Sequence, residues 1–214
     1  GQPVNRIEWA RNEINIATTA GRKFHSNKLL ITLPVGVLTY MQEGIYAVCF
    51  SPDIPAKRAA LQQIGFGTVI KIVLRWQNPF WNAFIPNAAF IISEKDIPVW
   101  WTQHPTASCI LTGWAGGPAA QNLSGLSDSG LLDIALENLS GIFGIPVKEL
   151  KAQLAEAKIF NWEKEIFTRG AYSFSLASAE EARAVWRSPL ENTVYFAGEA
   201  CYDGPYIGTV EAAI

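Results

Sequence analysis

The positions of apolar residues predict short strands near the start of the chain and again beyond residue 67. Residues 4–33 contain β-prone runs at 14–19 and 28–33 separated by turn residues, a pattern typical of a mostly antiparallel layer. The run at 68–76 is apolar on both faces, which predicts a strand in the interior of a sheet. Further strands are predicted at 88–93 and 108–114.

Helices are predicted where apolar residues recur at helical spacing or where capping residues bound a segment. The first begins within 51–55 and extends to about Ile64, with Pro55 in its first turn. Three more are predicted at 127–143, 146–154 and 179–188. A final helix is expected to open at Gly208 and to be cut short at Ile214. The predicted fold class is therefore α+β, with a mixed sheet flanked by helices.

The composition allows a substantial core and excludes several classes of function. The 214 residues are 49% hydrophobic and 17% charged, enough for one large domain or two small ones. A net charge of −2 without a basic stripe argues against nucleic acid as a partner. No apolar run approaches the length of a membrane span, which is about 18 residues.

Cysteine and histidine usage indicates neither a disulfide framework nor a metal site. Cys49, Cys109 and Cys201 are odd in number and far apart, so a reducing, cytoplasmic location is expected. His25 and His104 have no cysteine or carboxylate at metal-ligand spacing.

Three side chains attract attention from pattern alone, and each has an ordinary interpretation beside the functional one. Lys71 interrupts an apolar strand, either because alternation turns it to solvent or because its ammonium has a task. Tyr172 is equally consistent with an ordinary strand tyrosine. Glu199 follows Ala197-Gly198 at the end of an apolar strand, where nucleotide folds contact ribose or pyrophosphate, but it also suits a simple turn.

Several segments together resemble the flavin-containing amine oxidase family, which includes monoamine oxidases, polyamine oxidases and histone demethylase relatives. The resemblance is carried by Tyr195-Phe196-Ala197-Gly198-Glu199-Ala200 with Gly208-Thr209-Val210, by 66–74 followed by Asn78-Pro79-Phe80-Trp81, and by Asn161-Trp162 with 168–173. It covers Val4 to Ile214 in the family order.

The resemblance implies specific roles. Lys71 matches a lysine that contacts the flavin N5 through a water, and Tyr172 matches one wall of an aromatic cage that orients the amine. Thr209 stands at the second wall, where many relatives have an aromatic residue. Ala171 stands where monoamine oxidases carry a flavin-bonded cysteine, so the resemblance implies non-covalent FAD. The residues it assigns to the cofactor are Val4, Trp162, Ala171, Gly198, Glu199, Gly208, Thr209 and Val210.

The family's dinucleotide-binding Gly-x-Gly-x-x-Gly segment has no counterpart in this sequence. The chain therefore resembles the C-terminal part of an enzyme, with a missing N-terminal half as its expected partner. Residues 1–60 and 166–214 are expected in an FAD-binding domain and 61–165 in a substrate domain. The chain alone is expected to be colourless and inactive.

The implied activity of the intact protein is oxidation of a small-molecule amine by hydride transfer to FAD N5, with imine and hydrogen peroxide as products. Two alternatives stay open, namely a related desaturase or porphyrinogen oxidase, and a non-catalytic binding module derived from the family. The sequence leaves open which amine reacts, whether oxygen is the physiological acceptor, and the oligomeric state.

Overall fold

The structure is a computed structural model that describes residues 1–39, 47–177 and 179–214. The described strands are β1 (Val4–Ala10), β2 (Glu13–Thr18), β3 (Lys23–Ser26), β4 (Leu29–Ile31), β5 (Cys49–Ser51), β6 (Gly65–Phe66), β7 (Val69–Trp76), β8 (Phe90–Ile92), β9 (Val99–Trp101), β10 (Ile110–Gly116), β11 (Leu154–Asn161), β12 (Ser173–Phe174) and β13 (Val194–Phe196). The described α-helices are α1 (Val35–Thr39), α2 (Pro55–Leu61), α3 (Pro118–Leu123), α4 (Asp128–Phe143), α5 (Val147–Gln153) and α6 (Ala179–Arg187).

The described chain divides into two units. The first unit comprises residues 1–67 and 165–214, and the second comprises residues 68–164. The combination of sheets and helices confirms the predicted fold class. The assignment of an FAD-binding and a substrate-binding role to these ranges stays a prediction.

The first unit contains a four-stranded sheet in the order β3-β2-β1-β5. Its β1-β2 and β2-β3 pairs are antiparallel, as predicted for residues 14–19, and β5 joins β1 in parallel. The run predicted at 28–33 is not part of this layer, because β4 pairs in parallel with β13 instead. Strand alternation buries Ile7 and Ile14 on one face of this sheet. Two small sheets complete the unit, a parallel β13-β4 pair and an antiparallel β12-β6 pair.

Helices α2 and α6 pack together in the first unit, beside the β13-β4 pair. Pro55 begins α2, as predicted from its fixed backbone angle. On α6, residues at helical spacing are buried: Ala179, Ala182, Arg183 and Trp186. The Trp186 ring lies 4.4 Å from the ring of Phe196 in β13, centroid to centroid, so this contact links the helix to the strand that leads to Glu199.

The second unit is a five-stranded sheet in the order β11-β7-β10-β9-β8, with α3, α4 and α5 on one face. Strand β7 pairs with both β10 and β11, which confirms the interior position predicted for 68–76. Its alternate residues Ile70, Ile72, Leu74 and Trp76 are buried toward the helices.

All pairs described in this sheet are antiparallel, whereas the sequence predicts a mixed sheet. Strands β10 and β11 run in the same direction and are connected through α3, α4 and α5. Strand β7 lies between them, so the helical crossover creates no adjacent parallel pair.

Helix α4 follows the predicted signals at both ends. The Ser127 hydroxyl accepts a hydrogen bond from the N–H of Gly130 at 3.2 Å, and Gly144 ends the helix in the left-handed conformation at φ +68°. The predicted helix at 146–154 is also present as α5, but the chain passes at Leu154 directly into β11, a strand that the sequence analysis did not predict.

The closing helix expected from Gly208 is not an α-helix. A single 3-10 turn spans Glu211–Ala213, and Gly208 has φ +76°. A residue in the left-handed region cannot belong to the first turn of a right-handed helix, so the backbone at Gly208 does not start one. The prediction of a helix N-terminus at 208–210 is therefore wrong for this chain.

Among the described residues, no individual helix has both the length and the apolar character required to cross a bilayer; α4 and α5 meet those criteria only jointly, as a pair bent by 112°.

Candidate functional site

The carboxylate of Glu199 joins three separate segments of the first unit. It follows β13 through Gly198, whose φ of +112° suits glycine, and begins a short 3-10 turn. Its oxygens accept hydrogen bonds from the Ser173 hydroxyl at 2.6 Å, the Ser173 N–H at 3.1 Å and the Gly208 N–H at 2.9 Å. A charged acceptor with several donors strengthens each bond, so Glu199 fixes the relative positions of these segments.

Arg183 supports this network from α6. Only 2% of the residue is exposed. Its Nη1 donates to the carbonyl oxygen of Ala200 and its Nη2 donates to the hydroxyl of Ser173, both at 2.8 Å. Neither Arg183 nor Ser173 was predicted as a site residue from the sequence. The available signal was the apolar stripe of α6, where Arg183 occupies a position at which a buried guanidinium needs hydrogen-bond partners.

Tyr172 and Gly208 lie against each other. The Tyr172 carbonyl accepts a hydrogen bond from the Gly67 N–H at 2.8 Å, and the side chain is 38% exposed. A Cβ built on Gly208 would stand 3.0 Å from Cδ2 of Tyr172, tighter than an ordinary contact, and the φ of +76° also favours glycine at this position. The two predicted cage positions, 172 and 209, are thus brought into the same neighbourhood.

The hydroxyl of Thr209 is engaged within its own segment. It donates to the carbonyl oxygen of Tyr206 at 2.7 Å and accepts from the N–H of Ala212 at 3.2 Å. Val210 beside it is 74% exposed. Thr209 therefore stabilises the turn at Glu211–Ala213.

A cavity of about 260 Å³ lies next to Glu199. Its lining includes Ala171, Gly198 and Glu199, three of the residues predicted to bind the cofactor, together with Phe66 and Pro34. Small side chains dominate here, and a Cβ built on Gly198 would meet only the Thr32 carbonyl oxygen, at 3.9 Å. A group that approaches the backbone closely and can donate a hydrogen bond to a carboxylate, as a sugar hydroxyl of a dinucleotide does, fits such a lining.

Val4 lines a separate, mostly apolar cavity of about 330 Å³ in the same unit. Ile7, Ile16 and Leu30 contribute to its wall. The assignment of Val4 to the cofactor stays a prediction.

Lys71 and Trp162 belong to the second unit. In the sheet register Lys71 stands opposite Trp114 on one side and Phe160 on the other, and its Nζ lies 5.6 Å from the centroid of the Trp101 ring. Alternation along β7 places it on the face opposite the helices. Trp162, 37% exposed, stacks on Phe160 with ring centroids 6.2 Å apart. The ammonium thus has an aromatic environment that stabilises a cation.

Lys57 on α2 secures the end of α6. Its Nζ donates to the carbonyl oxygens of Val185, at 2.5 Å, and Trp186, at 2.9 Å, and to the carbonyl and hydroxyl oxygens of Ser188. Burial lowers the pKa of Lys57 from 10.5 to about 8. Burial has the opposite effect on the Cys201 thiol, whose pKa it raises. Lys57 thereby supplies donors to carbonyls that the helix itself leaves unpaired.

No group of three histidine, cysteine or acidic side chains in the described parts of the chain could hold a metal ion.

The sequence profile of the family described as "Flavin containing amine oxidoreductase" matches residues 1–214. The chain belongs to this family. "Lysine-specific histone demethylase 1 homolog 3" of Arabidopsis thaliana is 26% identical over 210 residues, which are 94% of this chain and 12% of that relative. "Polyamine oxidase 4" of Oryza sativa subsp. japonica is 26% identical over 219 residues, which are 99% of this chain and 42% of that relative.

Solved structures of amine oxidases share the fold. A putrescine oxidase variant from a redesign of cofactor binding superposes with a TM-score of 0.74 at 17% identity, and cyclohexylamine oxidase from Brevibacterium oxydans with 0.71 at 19%. Each match covers 94% of this chain and 43% of the other. The chain thus spans less than half the length of these relatives and structures.

Proposed function

We propose that the protein to which this chain belongs is an FAD-dependent amine oxidase that holds its cofactor non-covalently. Membership of the family supports a flavin oxidoreductase. The relatives and structures named above are called a histone demethylase, a polyamine oxidase, a putrescine oxidase and a cyclohexylamine oxidase, and an amine is the substrate chemistry that these names share.

The observation that carries the proposal is the network around Glu199. It unites the segment of Ala171 and Tyr172 with Gly198 and Gly208, which are separate in sequence and which the resemblance assigns to the cofactor and the amine. An acidic side chain in a simple turn would not need donors from two distant segments. The network therefore favours a built site over the interpretation of Glu199 as a turn residue.

Within the first unit, the cavity beside Glu199 would accommodate part of the FAD, with Gly198 and Ala171 allowing close approach. Ala171 has no sulfur to form a covalent bond with the cofactor. When bound, FAD would supply the electron acceptor for removal of a hydride from the carbon next to the amine nitrogen.

The side chains of this chain would contribute binding and orientation. The exposed ring of Tyr172 would bind the amine nitrogen over its face and orient it. Lys71, in the second unit, would hold a water through its ammonium beside the Trp101 ring. The imine product would then be hydrolysed in water.

Oxygen uptake and hydrogen peroxide formation test this proposal. The chain is expressed with its natural upstream region and supplied with primary amines, polyamines and N-methylated lysine peptides. One amine class should yield peroxide, Tyr172→Phe should keep most of the activity, and Tyr172→Ala should lose about tenfold or more in kcat/KM. A flavoprotein that no amine turns over would favour the desaturase-like alternative, and a protein that binds no FAD would favour the non-catalytic module.

A further inference from the structure

We propose that Arg183 is a positioning residue that acts through Ser173 and Glu199 to set the spacing between Tyr172 and Thr209. This inference rests on the proposed function, in which those two residues flank the amine. It assigns a task to a buried cation that neither the family resemblance nor the sequence pattern identified.

The two residues next to the cage positions, Ser173 and Gly208, donate to the same carboxylate. Glu199 accepts the N–H of Ser173, which directly follows Tyr172, and the N–H of Gly208, which directly precedes Thr209. Both bonds end on one carboxylate, at 3.1 and 2.9 Å. A shift of this carboxylate therefore moves the backbone beside both cage positions together.

Ser173 and Arg183 hold the Glu199 carboxylate in place. The Ser173 hydroxyl donates to Glu199 at 2.6 Å and accepts from Arg183 Nη2 at 2.8 Å, so it connects the guanidinium to the carboxylate. The other terminal nitrogen of the guanidinium, Nη1, donates to the carbonyl oxygen of Ala200, the residue after Glu199. Arg183 thus holds the Glu199 segment at two points: at the Glu199 side chain, through Ser173, and at the backbone carbonyl of Ala200.

The identity of the cation also matters. The guanidinium is planar and presents donors at fixed angles, so it reaches two acceptors on different segments at once. A lysine at this position has a single tetrahedral nitrogen in place of the planar fork, so its donors would not be held in the same fixed directions. Helix α6 is held in turn by Lys57, which binds the carbonyls at its end, so the fork is presented from a fixed support.

The test uses two independent measurements on Arg183→Met and Ser173→Ala, with Arg187→Met as the matched control. Arg187 lies on the same helix and forms an exposed ion pair with Asp203, and such pairs contribute little to stability. Ser173→Ala removes one oxygen and keeps the serine backbone N–H, so it decides the question if Arg183→Met does not fold.

The first measurement needs no cofactor. Hydrogen exchange of the backbone amides at positions 173 and 208 is followed by NMR in the 214-residue chain. The account predicts exchange about tenfold or more faster in both variants and unchanged exchange in Arg187→Met. Unchanged exchange at Gly208 in folded Arg183→Met and Ser173→Ala would overturn the proposal.

The second measurement uses the FAD-loaded intact protein and the limiting rate of anaerobic flavin reduction at saturating amine. The predicted result is a limiting rate about tenfold or more lower with unchanged flavin content, and an intermediate rate for Arg183→Lys. An unchanged limiting rate, with or without loss of flavin, would contradict a positioning role. If no amine reduces the wild-type flavin, the proposed function fails, while the exchange measurement still decides whether the relay fixes positions 172 and 209.

Discussion

Ser173 presents both its hydroxyl and its backbone N–H to the carboxylate of Glu199, at 2.6 and 3.1 Å. The Gly208 N–H donates to the same carboxylate at 2.9 Å. All three partners are donors to Glu199, so the site requires both carboxylate oxygens to be acceptors. This requirement distinguishes a carboxylate from its isosteric amide.

Glu199→Gln is expected to lower the free energy of unfolding by about 2 kcal/mol, because either orientation of the amide turns an NH2 group toward a donor. Urea unfolding of the 214-residue chain measures this change. Glu181→Gln is the matched control, since Glu181 is an exposed residue on α6. Equal stability of the two variants would mean that the Glu199 bonds do not hold the segments together.

Gly113→Ala should destabilise the second unit, because Gly113 faces Trp100 across the β10-β9 pair. A Cβ at this position would lie 2.8 Å from two atoms of the buried Trp100 ring. The expected loss is about 1–3 kcal/mol in the free energy of unfolding. Gly125→Ala offers the control, since a Cβ there meets nothing within 4 Å, and a similar effect of both substitutions would refute the packing explanation.

Lys57 should make stability depend on pH in the alkaline range. Its folded pKa of about 8 lies below the ordinary value of 10.5, so the unfolded chain binds this proton more tightly than the folded chain. The Lys57 contribution to the free energy of unfolding should therefore rise by about 3 kcal/mol between pH 8 and 10.5, and be lost as the pH falls through 8.

Titration of the Lys57 Cε carbon by NMR measures this pKa directly. Cys201 contributes to the free energy of unfolding in the opposite direction. Its pKa is raised in the folded chain, so its stabilising contribution is lost as the pH rises through that folded pKa. The unfolding series is therefore best repeated in Cys201→Ala, where the rise should be easier to see. A Lys57 titration midpoint near 10.5 would contradict the assignment.

Lys71→Met should slow reoxidation of reduced flavin by oxygen in the intact protein, by about tenfold or more, with a smaller effect on reduction by amine. The reason is loss of the Lys71 ammonium beside Trp101, which the resemblance assigns to a water near the flavin. Stopped-flow spectra separate the two half-reactions. Lys158→Met is the matched control on the same face of the sheet, and equal effects of both variants would remove the special role of Lys71.

The sequence predicts those elements of the fold that carry local signals. Helix α4 has a capping serine at one end and Gly144 at the other, and β7 is apolar except for Lys71 and Arg75, so each was predicted at nearly its observed bounds. Strand β11 contains Ala, Glu and Lys, which favour helices in isolation, and it becomes a strand through pairing with β7. Such pairing between distant segments leaves no local signal in the sequence.

The same limit applies to the candidate site. Glu199 and Tyr172 could be selected because their motifs resemble those of a family. Arg183 lies in no such motif, and its bonds to Ser173 and Ala200 arise only when α6 packs beside β12 and the turn after β13. The helix expected at Gly208 was wrong because Gly208 adopts a left-handed conformation, and the chain forms only a 3-10 turn at Glu211–Ala213.

The central claim, FAD-dependent amine oxidation, is tested most directly by the visible spectrum of the protein expressed with its natural upstream region, recorded anaerobically before and after each amine is added. The account predicts a bound flavin that is released by denaturation, since Ala171 forms no covalent bond, and that one class of amine bleaches. A tightly bound flavin that no amine bleaches, or a protein that binds none, would contradict it.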